Sequence, residues 1–201
     1  MPRKLRVWIP HYFYHIVCRG NRRDDLFRDA GDFKTFKLIL AQVHHKFPFE
    51  IAAYCLMTNH FHLMLRSSEY PISKVMSLIN KRYADYYNTK NNFTGHVFEK
   101  RYFAEVLNTY RSMLEVSKYI HLNPVKAGMV VKPEAYKWSS YSYYVTENVP
   151  NLYPYMNITP VLDCLNVPEE LKMEQYYQYM LQDPESEEES TSFRDSTKFG
   201  E

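Results

Sequence analysis

In residues 60–66, HFHLMLR, large apolar side chains stand at every second position, and this alternation predicts a half-buried β-strand. Successive side chains of a strand point to opposite faces. Phe61, Leu63 and Leu65 would therefore enter a core, while His60 and His62 would share the other face. One face of this strand is expected to be structural, and the other is a candidate site.

The pattern along the rest of the chain predicts three helices and three more strands. Helices are predicted over residues 29–46, 72–88 and 109–122, and the first two carry apolar side chains at helical spacing. Thr109 suits the N-cap of the third helix, which should end near Leu122 because Pro124 disfavours helical geometry at Asn123. The dipeptide at positions 58–59 forms either a tight connection or an irregular point in one long strand. Stretches rich in aromatic and β-branched residues predict strands over residues 11–21, 49–57 and 101–108.

The order strand, helix, two strands, helix, strand predicts the ferredoxin-like α+β class, an antiparallel sheet with helices packed on one face. The open face of that sheet would carry His60 and His62. The aromatic stretch over residues 138–145 is expected to pack back on the body, and a weak helix is predicted over residues 168–181. The chain is therefore divided into a main domain, a partly helical extension and an acidic tail predicted to be disordered, over residues 1–148, 149–183 and 184–201.

Charge is distributed unevenly along the 201 residues. Residues 161–201 hold 11 acidic and 3 basic side chains (net −8), and the preceding 160 residues hold 12 and 22 (net +10). A basic body with 19 tyrosines suits a polyanionic partner, since Lys and Arg release counterions from phosphates and aromatic rings stack on unpaired bases. Positive charge spread evenly over the surface would instead mean only good solubility, and most tyrosines pack in cores.

Cysteine content and hydrophobicity predict an intracellular protein. Cys18, Cys55 and Cys164 form no CxxC pair, and their odd number suits reduced thiols. No apolar run approaches the roughly 20 residues of a membrane span. The N-terminal sequence MPRKLRVWIPHY lacks the hydrophobic stretch of a signal peptide. We therefore expect a soluble, cytoplasmic protein with no membrane partner.

Two pairs of residues are candidates for metal and nucleophile chemistry. His60 and His62, at i and i+2 on one strand face, can bind a divalent cation through neighbouring nitrogens. If the third helix persists through its last turn, Tyr119 and Asn123 lie four positions apart and project a phenol and an amide together. Structural interpretations stay open for both pairs, as hydrogen-bonded sheet histidines and as a core tyrosine followed by an ordinary helix stop.

Four motifs in a fixed order extend this interpretation. They are PRKLRVWIPHYFYHIVCRGNRR, the strand NHFHLML with its histidine-hydrophobic-histidine signature, GHVFEKRYF and YIHLNPVKAG, and together they cover roughly residues 1–145. In these motifs the chain resembles the single-tyrosine HUH transposases related to insertion sequence 200. Within that superfamily it resembles most the REP-associated tyrosine transposases, which accompany repeated extragenic palindromes.

The resemblance implies a role for each matched position. His60 and His62 would be metal ligands, Asn123 would be the third ligand and Tyr119 the nucleophile, with Mg²⁺ or Mn²⁺ as the cofactor. Related insertion-sequence transposases commonly have glutamine at the position of Asn123. The RGNRR turn and the GHVFEKRYF motif would contact DNA, although a solvated basic turn is the alternative. The residues concerned are Arg19, Asn21, Arg22, Arg23, Lys100 and Arg101.

The implied activity is metal-dependent cleavage and rejoining of single-stranded or hairpin DNA, such as a REP-like palindrome, through a 5′-phosphotyrosine intermediate. The covalent link conserves the energy of the phosphodiester, so rejoining needs no ATP, in agreement with the lack of a GxxxxGK[ST] motif. His121 is a candidate base, but a helix turns it roughly 160° away from Asn123. A non-catalytic DNA-hairpin-binding protein and a nuclease that uses water remain alternatives, and both a monomer and a homodimer are open.

Overall fold

The computed structural model describes residues 8–146 and 153–182 of the chain. The main body alternates strands and helices in the predicted order, and three short helices follow it. The elements are β1 (Phe13–Arg19), α1 (Ala30–Lys46), β2 (Glu50–Leu56), β3 (His60–Arg66), α2 (Ile72–Asn91), β4 (Phe103–Leu107), α3 (Tyr110–Lys126), α4 (Ser142–Val145), α5 (Thr159–Leu162) and α6 (Lys172–Leu181).

The four strands form one antiparallel sheet in the order β2-β3-β1-β4. This arrangement confirms the predicted α+β, ferredoxin-like class, because β1 and β3 occupy the centre and each crossover passes through a helix. The connection between β2 and β3 is the tight alternative, since the Met57 N–H donates to the His60 carbonyl at 2.9 Å. The two central strands place their side chains in a fixed register, with Val17 opposite His62 and Arg19 opposite His60.

Both faces of the sheet are covered, and this corrects the expectation of an open face. Helices α1 and α2 pack on the face that carries Ile16, Phe61 and Leu63. The other face contributes further apolar residues, including Met64, to a second cluster with α3 and the C-terminal helices. The strand pattern identified both faces, but which helix covers the histidine face depends on the path of the chain after β4.

Helix α3 continues past Pro124 to Lys126, so the prediction that it ends near Leu122 is wrong. Its end is set instead by Gly128, which has a φ of 67° and follows the C-cap. The Gly128 N–H donates to the Val125 carbonyl (2.9 Å) and the Met129 N–H to the Pro124 carbonyl (2.9 Å), which is the bond pattern of a Schellman motif. Asn123 therefore keeps its place on the helix.

The segments after α3 pack against that helix. The aromatic stretch 138–145 returns to the body as predicted and buries Tyr141 and Tyr144. The weak helix predicted over 168–181 is a single 3₁₀ turn followed by α6, and α5 was not predicted. Residues 184–201 lie outside the described residues, and the division of the chain into three segments stays a prediction. In the described part of the chain, no helix is both long and apolar enough to cross a membrane.

Candidate active site

The two histidines of β3 lie on the face covered by α3. Alternation along the strand puts Phe61 in the opposite core and aims His60 and His62 the same way, with their ring centroids 5.0 Å apart. His62 is buried, with only 1% of its surface exposed, whereas His60 is half-buried. The pair therefore lines the floor of a site that opens on the side of His60.

Helix α3 places the phenol and the amide over these imidazoles. The ring of Tyr119 meets the ring of His62 edge-on, with 5.4 Å between the centroids and 83° between the planes. One turn later, the side chain of Asn123 lies close enough to His60 to influence the pKa of that imidazole. The structure thus brings all four predicted residues of the catalytic and metal set together within a single chain.

Two further residues hold the imidazoles, and the sequence-based prediction missed both. Asn59 Oδ1 lies 2.7 Å from Nδ1 of His60, and Asn59 Nδ2 donates to the Arg23 carbonyl at 3.3 Å. On β1, His15 Nε2 lies 3.0 Å from Nδ1 of His62. Alternation with Tyr14 and Ile16 could have placed His15 on the face opposite the α1–α2 core, but its contact with His62 depends on the register of β1 against β3.

Burial keeps the histidines of the site neutral. Desolvation lowers the pKa of His15 to about 4. Desolvation and the positive charge of Arg19 lower the pKa of His60 to about 4, although Asn123 acts to raise it. The pKa of His62 lies well below its usual value, mainly through desolvation and then through the charges of His15, His60 and Arg19. At neutral pH each ring therefore carries one N–H and one lone pair, the form in which imidazole binds a metal.

The donor set suits a hard or borderline divalent cation. Nε2 of His62 is buried and has no hydrogen-bond partner among the residues that the structure describes, which is unusual for a ring nitrogen and leaves it available to a ligand. No group of three or more His, Cys, Asp or Glu side chains suited to a metal occurs among residues 8–146 and 153–182. Any cation here would thus rely on two imidazoles and the amide of Asn123, a set that leaves coordination positions for oxygen atoms of a substrate.

A positively charged lysine side chain lies beside the candidate nucleophile. Lys126, two turns after Tyr119 on α3, places its Nζ 5.4 Å from the centroid of the tyrosine ring. Its side chain is exposed, so it stands at the mouth of the site. Together with Arg19, it gives this face a positive character that suits a phosphodiester.

The two basic motifs meet next to His60. The Asn21 N–H donates to the Val97 carbonyl at 2.8 Å, and the Glu99 N–H donates to the Arg19 carbonyl at 3.1 Å. These bonds join the RGNRR turn to the GHVFEKR segment at the end of β1, where β3 begins. All six predicted DNA-contacting residues are therefore grouped around one corner of the site.

Within this corner, Arg22 and Arg23 have strained backbones. Their φ values are 55° and 64°, in the left-handed region that side chains with a Cβ disfavour. The Asn59 side chain and the Thr58 and Asn59 carbonyls hold the surrounding segment by hydrogen bonds. Four basic side chains of this corner are exposed: Arg22, Arg23, Lys100 and Arg101.

His121 points away from the site, as the helical rotation predicted. Its ring is fully buried, with Nδ1 2.8 Å from the Tyr176 hydroxyl and Nε2 2.8 Å from Ser140 Oγ. Ser140 Oγ also accepts the Tyr54 N–H of β2 at 2.8 Å. His121 therefore fastens α3 to the sheet and to α6, and it is not placed to act on a substrate at Tyr119.

Comparison with known proteins agrees with this geometry. The sequence profile of the family described as "Transposase IS200 like" matches residues 9–123, more than half of the chain. A protein of Haemophilus influenzae named "Putative REP-associated tyrosine transposase" is 21% identical over 141 residues, which cover 65% of this chain and 78% of the relative.

A solved structure of a REP-associated tyrosine transposase bound to a REP hairpin has the same fold. It matches with a TM-score of 0.63 and 18% identity over 79% of this chain and 93% of the other. These findings confirm the resemblance drawn from the four motifs. The chain belongs to the IS200-like transposase family.

Proposed function

We propose that this protein is a REP-associated tyrosine transposase that cleaves and rejoins single-stranded or hairpin DNA through a 5′-phosphotyrosine, with a divalent cation as cofactor. The observation that carries the proposal is the convergence of Tyr119 and Asn123 on the imidazoles of His60 and His62. The names of the H. influenzae relative and of the hairpin-bound structure support the same activity and the same kind of DNA partner. We further propose that the protein acts in the cytoplasm, because its buried Cys18 and Cys55 form no disulfide within the described residues, which suits this compartment.

Each residue of the site has a chemical task in this reaction. His60, His62 and Asn123 would hold Mg²⁺ or Mn²⁺, which when bound supplies Lewis-acid polarisation of a phosphodiester. Tyr119 Oη forms a bond to phosphorus while the bond from phosphorus to the 3′ oxygen breaks. The phenolic proton passes to solvent, and the departing oxygen takes up a proton. The products are a 5′-phosphotyrosine and a free 3′-hydroxyl.

Positive side chains assist this step. Lys126, whose Nζ lies 5.4 Å from the centroid of the Tyr119 ring, would attract the phosphodiester to the nucleophile. Arg19, next to His60 in the β1–β3 ladder, is close enough to influence both imidazoles and would face the same phosphate. Both roles use residues of one chain, and the proposed reaction is compatible with a monomer or a homodimer as the active unit.

The corner formed by the RGNRR and GHVFEKR segments would bind the hairpin stem. Arginine and lysine contacts to phosphates position a duplex without reading its sequence. Non-glycine residues in the left-handed region cost about 1–2 kcal/mol each, so arginines at positions 22 and 23 lower the stability of this turn. Such strain at a surface turn is typical of functional positions.

Arg22 offers a prediction that separates DNA binding from folding. We expect Arg22→Gln and Arg22→Gly to weaken hairpin binding equally and to reduce the slope of log K against log salt by about 1, because each removes one phosphate contact. Glycine tolerates a positive φ, so Arg22→Gly should not lower the free energy of unfolding. Fluorescence anisotropy at several salt concentrations and urea unfolding measure the two effects. Lys34→Gln, on the exposed side of α1, is the control, and an unchanged salt slope in both Arg22 variants would remove this residue from the interface.

The reaction class is tested with the wild-type protein and hairpin DNA labelled at its 3′ end, since that end would stay attached to Tyr119. With Mn²⁺ we expect a labelled, protein-linked band on a denaturing gel, and with EDTA we expect none. Free labelled fragments alone would indicate a nuclease that uses water. Uncut DNA that is still bound in a native gel would indicate a non-catalytic hairpin-binding protein. Either of these results contradicts the proposed function.

A further inference from the structure

We propose that His15 and Asn59 are positioning residues that fix His62 and His60 in the tautomer with the proton on Nδ1, so that both Nε2 lone pairs face the site. This inference rests on the proposed function, because it assigns the direction from which the imidazoles meet a cation. The role of the two residues follows from the fact that a neutral imidazole has one N–H donor and one nitrogen lone pair, so a partner on one nitrogen determines the state of the other.

The contact with Asn59 determines which nitrogen of His60 carries the proton. Nδ2 of Asn59 donates to the Arg23 carbonyl, which leaves Oδ1, an acceptor, 2.7 Å from Nδ1 of His60. A neutral imidazole carries a single N–H, and this contact requires it on Nδ1. The other nitrogen, Nε2, then carries the lone pair. The Nδ1–H form is therefore the one that the contact with Asn59 selects.

The tautomer of His62 follows from the environment of its Nε2, which is buried and has no hydrogen-bond partner among the described residues. The bond of 3.0 Å between His15 Nε2 and His62 Nδ1 can run in either direction when both rings are neutral. If His15 donated, the proton of His62 would sit on Nε2 and be a buried donor without an acceptor, at a cost of about 1–3 kcal/mol. If His62 donates through Nδ1–H, Nε2 carries a lone pair that a cation can use. Only the second direction is compatible with metal binding.

The ring of His15 is held in place beside His62 by the side chains packed around it. It is buried, with 5% of its surface exposed. Its ring lies nearly parallel to that of His62, with 5.3 Å between centroids and 18° between planes, in keeping with their hydrogen bond, and it packs edge-on against Phe103 at 6.5 Å and Tyr119 at 5.8 Å. Metal-bound histidines generally have such a partner on the other ring nitrogen, and removal of the partner typically weakens metal affinity about 10- to 100-fold. Because His15 also touches Tyr119, it links the orientation of the ligand to that of the nucleophile.

The first test reads the tautomers directly in the metal-free protein. Long-range ¹H–¹⁵N NMR spectra at neutral pH, assigned with single histidine variants, distinguish protonated Nδ1 from protonated Nε2. We expect Nδ1–H for both His60 and His62, and Nε2–H for His62 in His15→Leu, which has no acceptor to offer. A wild-type spectrum with the proton of His62 on Nε2 would overturn the inference.

The second test measures the affinity for Mn²⁺ alone, by electron paramagnetic resonance of the free ion. We expect about 10- to 100-fold weaker binding in His15→Leu and Asn59→Ala, with recovery in His15→Gln and Asn59→Asp, which restore an acceptor. His44→Leu is the control. It removes a histidine that lies outside the site, is partly buried and contacts the Phe49 carbonyl at 2.8 Å. Thermal unfolding of each variant separates loss of fold from loss of affinity.

The outcomes separate this inference from the proposed function. Unchanged Mn²⁺ affinity in both His15→Leu and Asn59→Ala, beside a wild type that binds, would overturn the inference alone. Equal losses in the leucine and glutamine variants of His15 would do the same, because they would show that shape and not the acceptor matters. A wild-type protein that binds no Mn²⁺ would overturn the metal site and this inference together.

Discussion

Phenylalanine in place of Tyr119 is expected to abolish the protein-linked DNA band, with a loss of at least about 1,000-fold in covalent product. The substitution removes only the phenolic oxygen, which forms the bond to phosphorus, and leaves the ring against His62 and His15. The fold, the imidazole pair and the basic corner should stay intact. We therefore expect the variant to bind Mn²⁺ and hairpin DNA with wild-type affinity. The measurement is the 3′-labelled hairpin assay on a denaturing gel.

Tyr110→Phe is the control for Tyr119→Phe. Tyr110 lies at the start of the same helix and is 77% exposed, so its hydroxyl has no part in the site. This variant should form the covalent product at the wild-type rate. A protein-linked band that persists in Tyr119→Phe and disappears in Tyr110→Phe would identify Tyr110 as the nucleophile and contradict the prediction. Cleavage without a covalent product in both variants and the wild type would point to water as the nucleophile.

Leucine in place of His121 is expected to lower the free energy of unfolding by about 3 kcal/mol. The imidazole is buried between α3, the segment before α4 and α6, and both of its nitrogens are hydrogen-bonded. Leucine would leave the Tyr176 hydroxyl and Ser140 Oγ with fewer partners in a region that excludes water. Urea unfolding followed by circular dichroism measures the change, and an unchanged m value would show that the same surface is exposed on unfolding.

Two further variants show how much of this loss of stability depends on the hydrogen bonds of His121. Tyr176→Phe removes one of the two partners of His121 and should cost about 1 kcal/mol. His45→Leu, at an exposed position of α1, should change the free energy of unfolding by less than about 0.5 kcal/mol. If His121→Leu were as stable as His45→Leu, the link between α3 and the C-terminal helix would have no energetic importance.

The sequence predicted most of the fold because strand and helix periods are local properties. The alternation in HFHLMLR was enough to place His60 and His62 on one face, and the order of elements was enough to identify the ferredoxin-like class. The end of α3 was missed because two local rules compete there. Pro124 argues for an early stop, whereas Gly128 in a left-handed conformation closes a longer helix, and the second rule prevails.

The supporting residues of the site could not be predicted in the same way. His15 meets His62 across 47 positions of sequence, and His121 meets Tyr176 across 55. Such contacts depend on strand register and on the docking of helices, neither of which leaves a periodic mark on the chain. The strained conformation of Arg22 and Arg23 is equally invisible in sequence, because arginine gives no hint of a positive φ.

Neighbouring residues alone specify the order of the elements, the side of β3 that carries the imidazoles and the four motifs that identify the family. The path of the folded chain was needed to show that α3 covers the histidine face and that the two basic segments meet beside His60. It alone supplied His15 and Asn59 as partners of the imidazoles. The physical reason is that hydrogen bonds and ring contacts form between surfaces brought together by the packing of the whole core, and residues far apart along the chain do not specify that packing locally.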